Sequence, residues 1–229
     1  MKYETIKQGI FIERPNRFIA RVLFNEKAET VHVKNTGRCR EILIPGVKVI
    51  LEKAKHKERK TAYSLIAAYK GVTLINIDSQ APNQVVYEAL QQGLLPQFGN
   101  LTRLLREVRF GNSRFDIYYE NESESGFIEV KGVTLERDGM ALFPDAPTER
   151  GAKHLLELAE AVKSGFKAHV FFLIQMKGPD RFQPNTIMDP KFTESLQLAR
   201  NGGVEILAYD TVVREDSLIM GEPVEVDGF

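Results

Sequence analysis

Through residue 82 the chain offers only short apolar or alternating stretches, GIFIER, RFIARVLF, ETVHVK, VKVILEK, TAYSLIAAY and GVTLINID, parted by Pro, Gly and Asn. None carries a helical period. A chain built of short strands over that length must close its sheet or leave edges open to other chains. The expectation is a small closed barrel of the OB type. After Pro82 the pattern changes: NQVVYEALQQGLL places Val86, Leu90 and Leu94 at helical spacing, with Pro96 marking an end. The change predicts a boundary there, with an OB-like β-barrel over 1–82 and an α/β domain over 83–229.

Within the second part, three β segments, roughly 100–110, 114–119 and 126–135, read as a meander, with the polar run ENESES between the last two. Thr148 is a good N-cap for a helix through RGAKHLLELAEAVKSG that stops near Gly165, and Leu155, Leu156, Ala159 and Val162 form its expected buried stripe. AHVFFLIQM is a near-continuous apolar run, which suits a central strand covered on both faces. A helix around PKFTESLQLARNGG and a strand VEILAY complete an α/β half.

The totals of 31 basic and 31 acidic residues conceal an uneven distribution. Residues 1–82 hold 16 Lys and Arg against 8 Asp and Glu, while the remainder holds 15 against 23. A basic half suits a polyanion such as nucleic acid, because phosphate contacts release counterions; solubility alone is the competing explanation. The single Cys39 has no disulfide partner, the four histidines add no metal spacing, and no apolar run approaches the ~20 residues of a membrane span. The start lacks the pattern of a secretory leader, so a soluble cytoplasmic protein is expected. EKAKHKERK, which contains Lys57, is a solvated hairpin loop with Lys57 as a candidate phosphate contact.

Chemistry concentrates in SRFDIYYE and GFIEVKGV. As an antiparallel hairpin, the register that opposes Asp116 and Glu129 also opposes Phe115 with Val130, Ile117 with Ile128, and Arg114 with Lys131. One face is then apolar. The other carries Arg114, Asp116, Glu129 and Lys131, and two carboxylates with Cβ atoms about 5 Å apart repel unless a cation lies between them. A hard divalent ion takes carboxylate and carbonyl oxygens and keeps several waters, so the two acids and the Val130 carbonyl are candidate metal ligands. Lys131, on the same side, is placed to position a water or stabilise phosphoryl charge. The competing reading is an exposed strand face on which Arg114 and Lys131 neutralise the acids.

The D-x(n)-E-x-K arrangement resembles the PD-(D/E)xK nuclease-like fold, although Phe115 stands where that motif often has proline. More specifically, the chain resembles the sugar fermentation stimulation protein A (SfsA) family in HVKNTGR, LIPG, REVRFGNSRFD, FIEVKGVTL, FPDAPTERGAKHLLEL and PNTIMDPKF, nearly end to end. The resemblance implies an α+β protein: an N-terminal OB-like barrel, then a restriction-endonuclease-like α/β domain with a mixed central sheet. It also implies DNA binding of little sequence preference linked to sugar utilisation. Carried over by position, Asp116 and Glu129 match the metal-binding acids and Lys131 the motif lysine, with Mg²⁺ or Mn²⁺ as the expected ion. Glu88 is the positional candidate for a further acid, and Glu107 competes with it.

Supporting residues follow from placement. Arg150, Lys153, His154 and Glu157 share one helix face, where Arg150 and Lys153 are candidate DNA contacts and His154 is expected to pack or cap rather than catalyse. Asp145 is expected to shape a Pro-bounded turn. Arg38 and Arg40 follow the VHV strand in a polar corner with Asn35, Thr36 and Gly37, and Arg14 and Arg17 flank Pro15; these four arginines are candidate nucleic-acid contacts, with Arg114. Phe18, Phe24 and Tyr63 either stack on unpaired bases or belong to the core. The expected partner is DNA, with RNA left open, no membrane, and a homodimer among the expected states. Three functions compete: a Mg²⁺- or Mn²⁺-dependent nuclease, a non-catalytic DNA-binding regulator on the same fold, and an enzyme acting on RNA or another phosphate ester.

Overall fold

The computed structural model describes residues 1–35, 37–55 and 58–228, so Thr36, His56, Lys57 and Phe229 lie outside the described residues, Lys57's expected phosphate contact included. All six early strands are present: β1 (Ile6–Asn16), β2 (Ile19–Phe24), β3 (Lys27–Val33), β4 (Lys48–Lys53), β5 (Tyr63–Lys70) and β6 (Thr73–Asn76). They run in the order β3-β2-β1-β4-β5-β6, and β3 also pairs in parallel with β5, His32 opposite Ser64 and Val33 opposite Leu65. That extra pairing closes the barrel. Alternation along the strands sends Phe11, Val22, Val31, Val49, Leu51 and Leu65 inward, all buried.

α1 (Ala81–Gln91) begins with Pro82 in its first turn, where a missing N–H costs nothing, and Asp78 Oδ1 accepts from the Gln80 amide at 3.0 Å. It buries Val85, Val86, Ala89 and Leu90. Leu94, expected on the same stripe, lies beyond the helix and is exposed, because Gly93 turns left-handed at φ 67° and ends the helix.

The rest of the chain forms β7 (Leu101–Phe110), β8 (Ser113–Asn121), β9 (Ser125–Val133), β10 (Leu135–Arg137), β11 (Met140–Phe143), α2 (Glu149–Lys163), β12 (Lys167–Ile174), β13 (Arg181–Pro184), α3 (Pro190–Asn201), β14 (Glu205–Arg214), β15 (Ser217–Pro223) and β16 (Glu225–Val226). A mixed sheet of order β15-β14-β12-β9-β8-β7 has β12 in parallel register with both β9 and β14, which buries every β12 residue but Lys167. β10, β11, β13 and β16 make a small second sheet that the sequence pattern did not predict, and β15 was equally unforeseen. The two- to four-residue strands of the second sheet show no periodicity of their own.

α1 covers one face of the mixed sheet through Ile117, Ile128, Val130, Phe171 and Leu173, while α2 and α3 pack with Val170, Phe172 and Ile174 on the other. In α2 the buried stripe is Leu155, Leu158 and Ala159, with Val162 partly buried; Leu156, expected inside, is 44% exposed. Positions 155, 158, 159 and 162 keep the i, i+3, i+4, i+7 spacing, and Leu156 stands one residue, about 100°, off it. Among the described residues no helix is long and apolar enough to cross a membrane.

Candidate functional site

Three elements converge at the middle of β8 and β9. The ladder register is the one expected, Ile117 opposite Ile128, but backbone pairing stops there. Beyond it the Asp116 carboxylate replaces the ladder: Oδ2 accepts from the Val130 amide at 2.8 Å and Oδ1 from Asn83 Nδ2, in the first turn of α1, at 2.7 Å. Across β8, Glu107 adopts a left-handed φ of 56°, and Phe115 is released from the face of Ile117 into the aromatic cluster with Phe110 and Phe127. The expected single apolar face is therefore broken at Asp116. Neighbouring Gly132 allows α1 to approach, since a Cβ there would lie 2.7 Å from Pro82 Cγ.

Glu129 faces α2. Its side chain is buried, 3% exposed, with Oε1 2.6 Å from Lys131 Nζ and 2.5 Å from His154 Nδ1. Arg150 Nε lies 3.4 Å from His154 Nε2 and donates to it, which leaves Nδ1 as the protonated nitrogen that donates to Glu129. Glu129 Oε2 is buried and has no hydrogen-bond partner among the described residues. A buried carboxylate oxygen left unpaired costs free energy, so the arrangement invites a cation.

The two acids are displaced in opposite directions. Burial, with the Glu129 charge beside it, raises the Asp116 carboxyl to about 6 despite the Val130 amide. Burial opposes the charge on Glu129 too, but the His154 hydrogen bond and Lys131 outweigh it and hold Glu129 below the usual carboxylate range. The pair thus presents one firmly ionised acid and one that shares its proton near neutrality.

Neither candidate for a further acid joins them. Burial disfavours the Glu88 carboxylate, but hydrogen bonds from Gln84 and the Met1 ammonium, the latter at 2.5 Å, hold it ionised and engaged elsewhere. Glu107 is exposed and pairs with Arg114 Nε at 2.7 Å. Among the described residues no group of three or more His, Cys, Asp or Glu side chains that could hold a metal occurs. The residues that do fit a hard cation are Asp116 and Glu129 with backbone oxygen, leaving the remaining positions to water, as Mg²⁺ prefers.

The candidate nucleic-acid contacts divide. Arg14 is withdrawn from any ligand: its guanidinium donates to the carbonyls of Asn35, Gly37, Arg38 and Arg17 at 2.6–2.8 Å. Arg17, Arg38 and Arg40 are exposed around one cavity. Arg150 is exposed at the rim beside His154, and Lys153 is exposed with Nζ 3.6 Å from Glu157. Phe24 and Tyr63 pack edge to face at 5.3 Å, so of the three aromatic candidates only Phe18 stands clear, 49% exposed. Asp145 abuts Gly37, which joins the loop before α2 to the barrel. Cys39 is buried there, and burial together with Asp145 pushes its thiol up to about 12. Sequence reasoning assigned no role to Asn83 and expected His154 to pack or cap; the signals were the place of Asn83 in the first turn of α1 and the helix face that His154 shares with Arg150.

A small OB-like barrel joined to an α/β domain with a mixed central sheet, with a carboxylate pair and a lysine at its centre, defines the class of protein. The family models agree with both parts: the SfsA N-terminal OB domain matches residues 12–77 and the sugar fermentation stimulation protein RE domain matches residues 80–217. This chain belongs to the sugar fermentation stimulation protein family. It is 55% identical to a homolog from Alkaliphilus oremlandii, across 99% of each chain, and 54% identical to one from Clostridium botulinum, across 98% of each. It is also similar, with a TM-score of 0.90 and 29% identity over 99% of this chain and 98% of the other, to the solved structure of Pyrococcus furiosus SfsA in complex with Ca²⁺.

Proposed function

We propose that this protein binds DNA with little sequence preference and hydrolyses phosphodiester bonds at Asp116, Glu129 and Lys131 with Mg²⁺ or Mn²⁺, in a role tied to sugar utilisation. The observation that carries this reading is the buried Glu129 Oε2, unpartnered among the described residues, on a carboxylate whose charge also acts on the Asp116 carboxyl. That a similar protein was solved with Ca²⁺ supports a divalent ion in this chain as well. A division of labour at about residue 82 belongs to the same reading, with the basic barrel gripping the polyanion.

Bound there, a divalent ion supplies Lewis-acid polarisation of a phosphoryl oxygen and lowers the pKa of water. The chain does the rest. Asn83 and the Val130 amide orient Asp116, and His154 holds the Glu129 carboxylate through Oε1, leaving Oε2 to the ion. Lys131 Nζ sits where it can neutralise charge developing on the phosphoryl group. A second reading, a non-catalytic DNA-binding regulator, is favoured by one observation: Lys131 and His154 each commit a donor to the same Glu129 oxygen, so the ammonium is engaged with an acid of its own site.

Duplex DNA, single-stranded DNA and RNA incubated with Mg²⁺, Mn²⁺ or chelator separate the two. Hydrolysis requires cleavage that chelator stops and that Asp116→Asn and Lys131→Ala each reduce by about a hundredfold or more. DNA binding without cleavage in any metal leaves the regulator.

A further inference from the structure

The barrel carries a second feature that the hydrolytic site does not use. A cavity of about 510 Å³ is lined by Arg17, Arg38 and Arg40, with Asn16 and Pro45. Its one carboxylate, Glu13, is paired with Arg21 Nη1 at 3.0 Å, and among the described residues the three arginines have no ion-pair partner. Beside it Phe18 exposes half its surface, with the Arg17 guanidinium over its ring at 5.4 Å.

Hydrogen bonds hold this arrangement on two sides. Asn16 Oδ1 accepts from the amides of Phe18 and Ile19 at 2.9 and 3.1 Å, which locks the turn between β1 and β2. Arg14 then ties that turn to the facing loop through the carbonyls of Arg17, Asn35, Gly37 and Arg38. A phenylalanine displayed on a doubly fixed turn, among arginines free of ion pairs, has the chemistry of a stacking platform with phosphate contacts beside it. Duplex DNA hides its base faces, so such a platform serves only unpaired bases. The loop containing Gly37 touches Asp145, in the segment that leads to α2.

We propose that the barrel cavity beside Phe18 binds the unpaired bases and backbone of a single-stranded nucleic-acid segment. This rests on the nucleic-acid-binding part of the function proposed above and is independent of cleavage. Fluorescence anisotropy in chelator, with labelled strands of about 12 nucleotides, within the span of one OB barrel, tests it on the full chain. Single-stranded DNA, single-stranded RNA and blunt duplex DNA are each titrated with wild type, Phe18→Ala, Phe18→Trp and Arg38→Ala.

Phe18→Ala should weaken single-strand binding roughly tenfold and leave blunt duplex unchanged, while Phe18→Trp restores it. Arg38→Ala should weaken single-strand binding and flatten its salt dependence. Either sugar supports the proposal, and the tighter one identifies the source of the strand. An equal loss on duplex and single strand, or none on single strand, overturns it while DNA binding as such survives. If wild type binds none of the three, the underlying function falls with it.

Discussion

Asp116 and Glu129 show how the partners within reach change an acid's chemistry. Glu129 is deeper, yet it stays charged because His154 and Lys131 reach it; burial, and then the Glu129 charge, raise Asp116 against the two neutral donors that hold it. The folded state therefore binds the Asp116 proton more tightly than the unfolded chain does. Without metal, stability should fall as pH rises from about 4 to about 6, by about 3 kcal/mol, and level off above. Urea titrations in chelator across that range check the slope, which should vanish in Asp116→Asn. A divalent ion competes with the same proton, so its affinity, read by calorimetry, should drop below about pH 6.

At the level of elements, a few contacts set where the helices start, and the site depends on those starts. Asp189 caps α3 through Oδ1 to the Phe192 amide at 2.9 Å, and its Oδ2 accepts from the Thr148 amide at 2.7 Å, just where Thr148 caps α2. One carboxylate braces two helices. Asp189→Ala should cost about 1–3 kcal/mol in chemical denaturation, because one buried and one part-buried amide lose their acceptor. Gly132→Ala pushes a Cβ into Pro82 and Gln175, and should cost a further 1–3 kcal/mol by overpacking. It should also weaken metal binding, since Pro82 and Asn83 share the first turn of α1.

Across the whole molecule, the barrel and the mixed sheet share a continuous apolar cluster that runs from Phe11 and Val31 to Phe172 and Leu196. A buried polar network joins them again. Burial opposes the Lys34 ammonium, but Asp78, 1% exposed, and Glu52, each at 3.0 Å, hold its pKa above the ordinary value, and Gln175 donates to Asn76 and to the Asp78 carbonyl. Lys34→Met strands two carboxylates and should cost about 3–5 kcal/mol, seen as a lower urea midpoint of a single cooperative transition. Two separate transitions, with the barrel unaffected, would contradict this coupling. DNA affinity should fall with salt by about 0.9 log units per log salt for each phosphate neutralised, and a flat response would remove the polyanion partner.

The sequence by itself determined the six barrel strands, the meander, α2, α3 and the central strand, because their apolar periods are local and strong. It also determined the opposition of Ile117 with Ile128, since a slip of one residue would turn every side chain to the wrong face. Only the tertiary structure decided which acids meet. Glu88 went to the Met1 ammonium, Glu107 to Arg114, and His154 to Glu129, partners 87, 7 and 25 positions away that no spacing rule links. Arg14 likewise looked like a phosphate contact until four carbonyls were seen to take its donors. Periodicity reports which face of an element is buried; the packing of elements against one another sets which charges share a pocket.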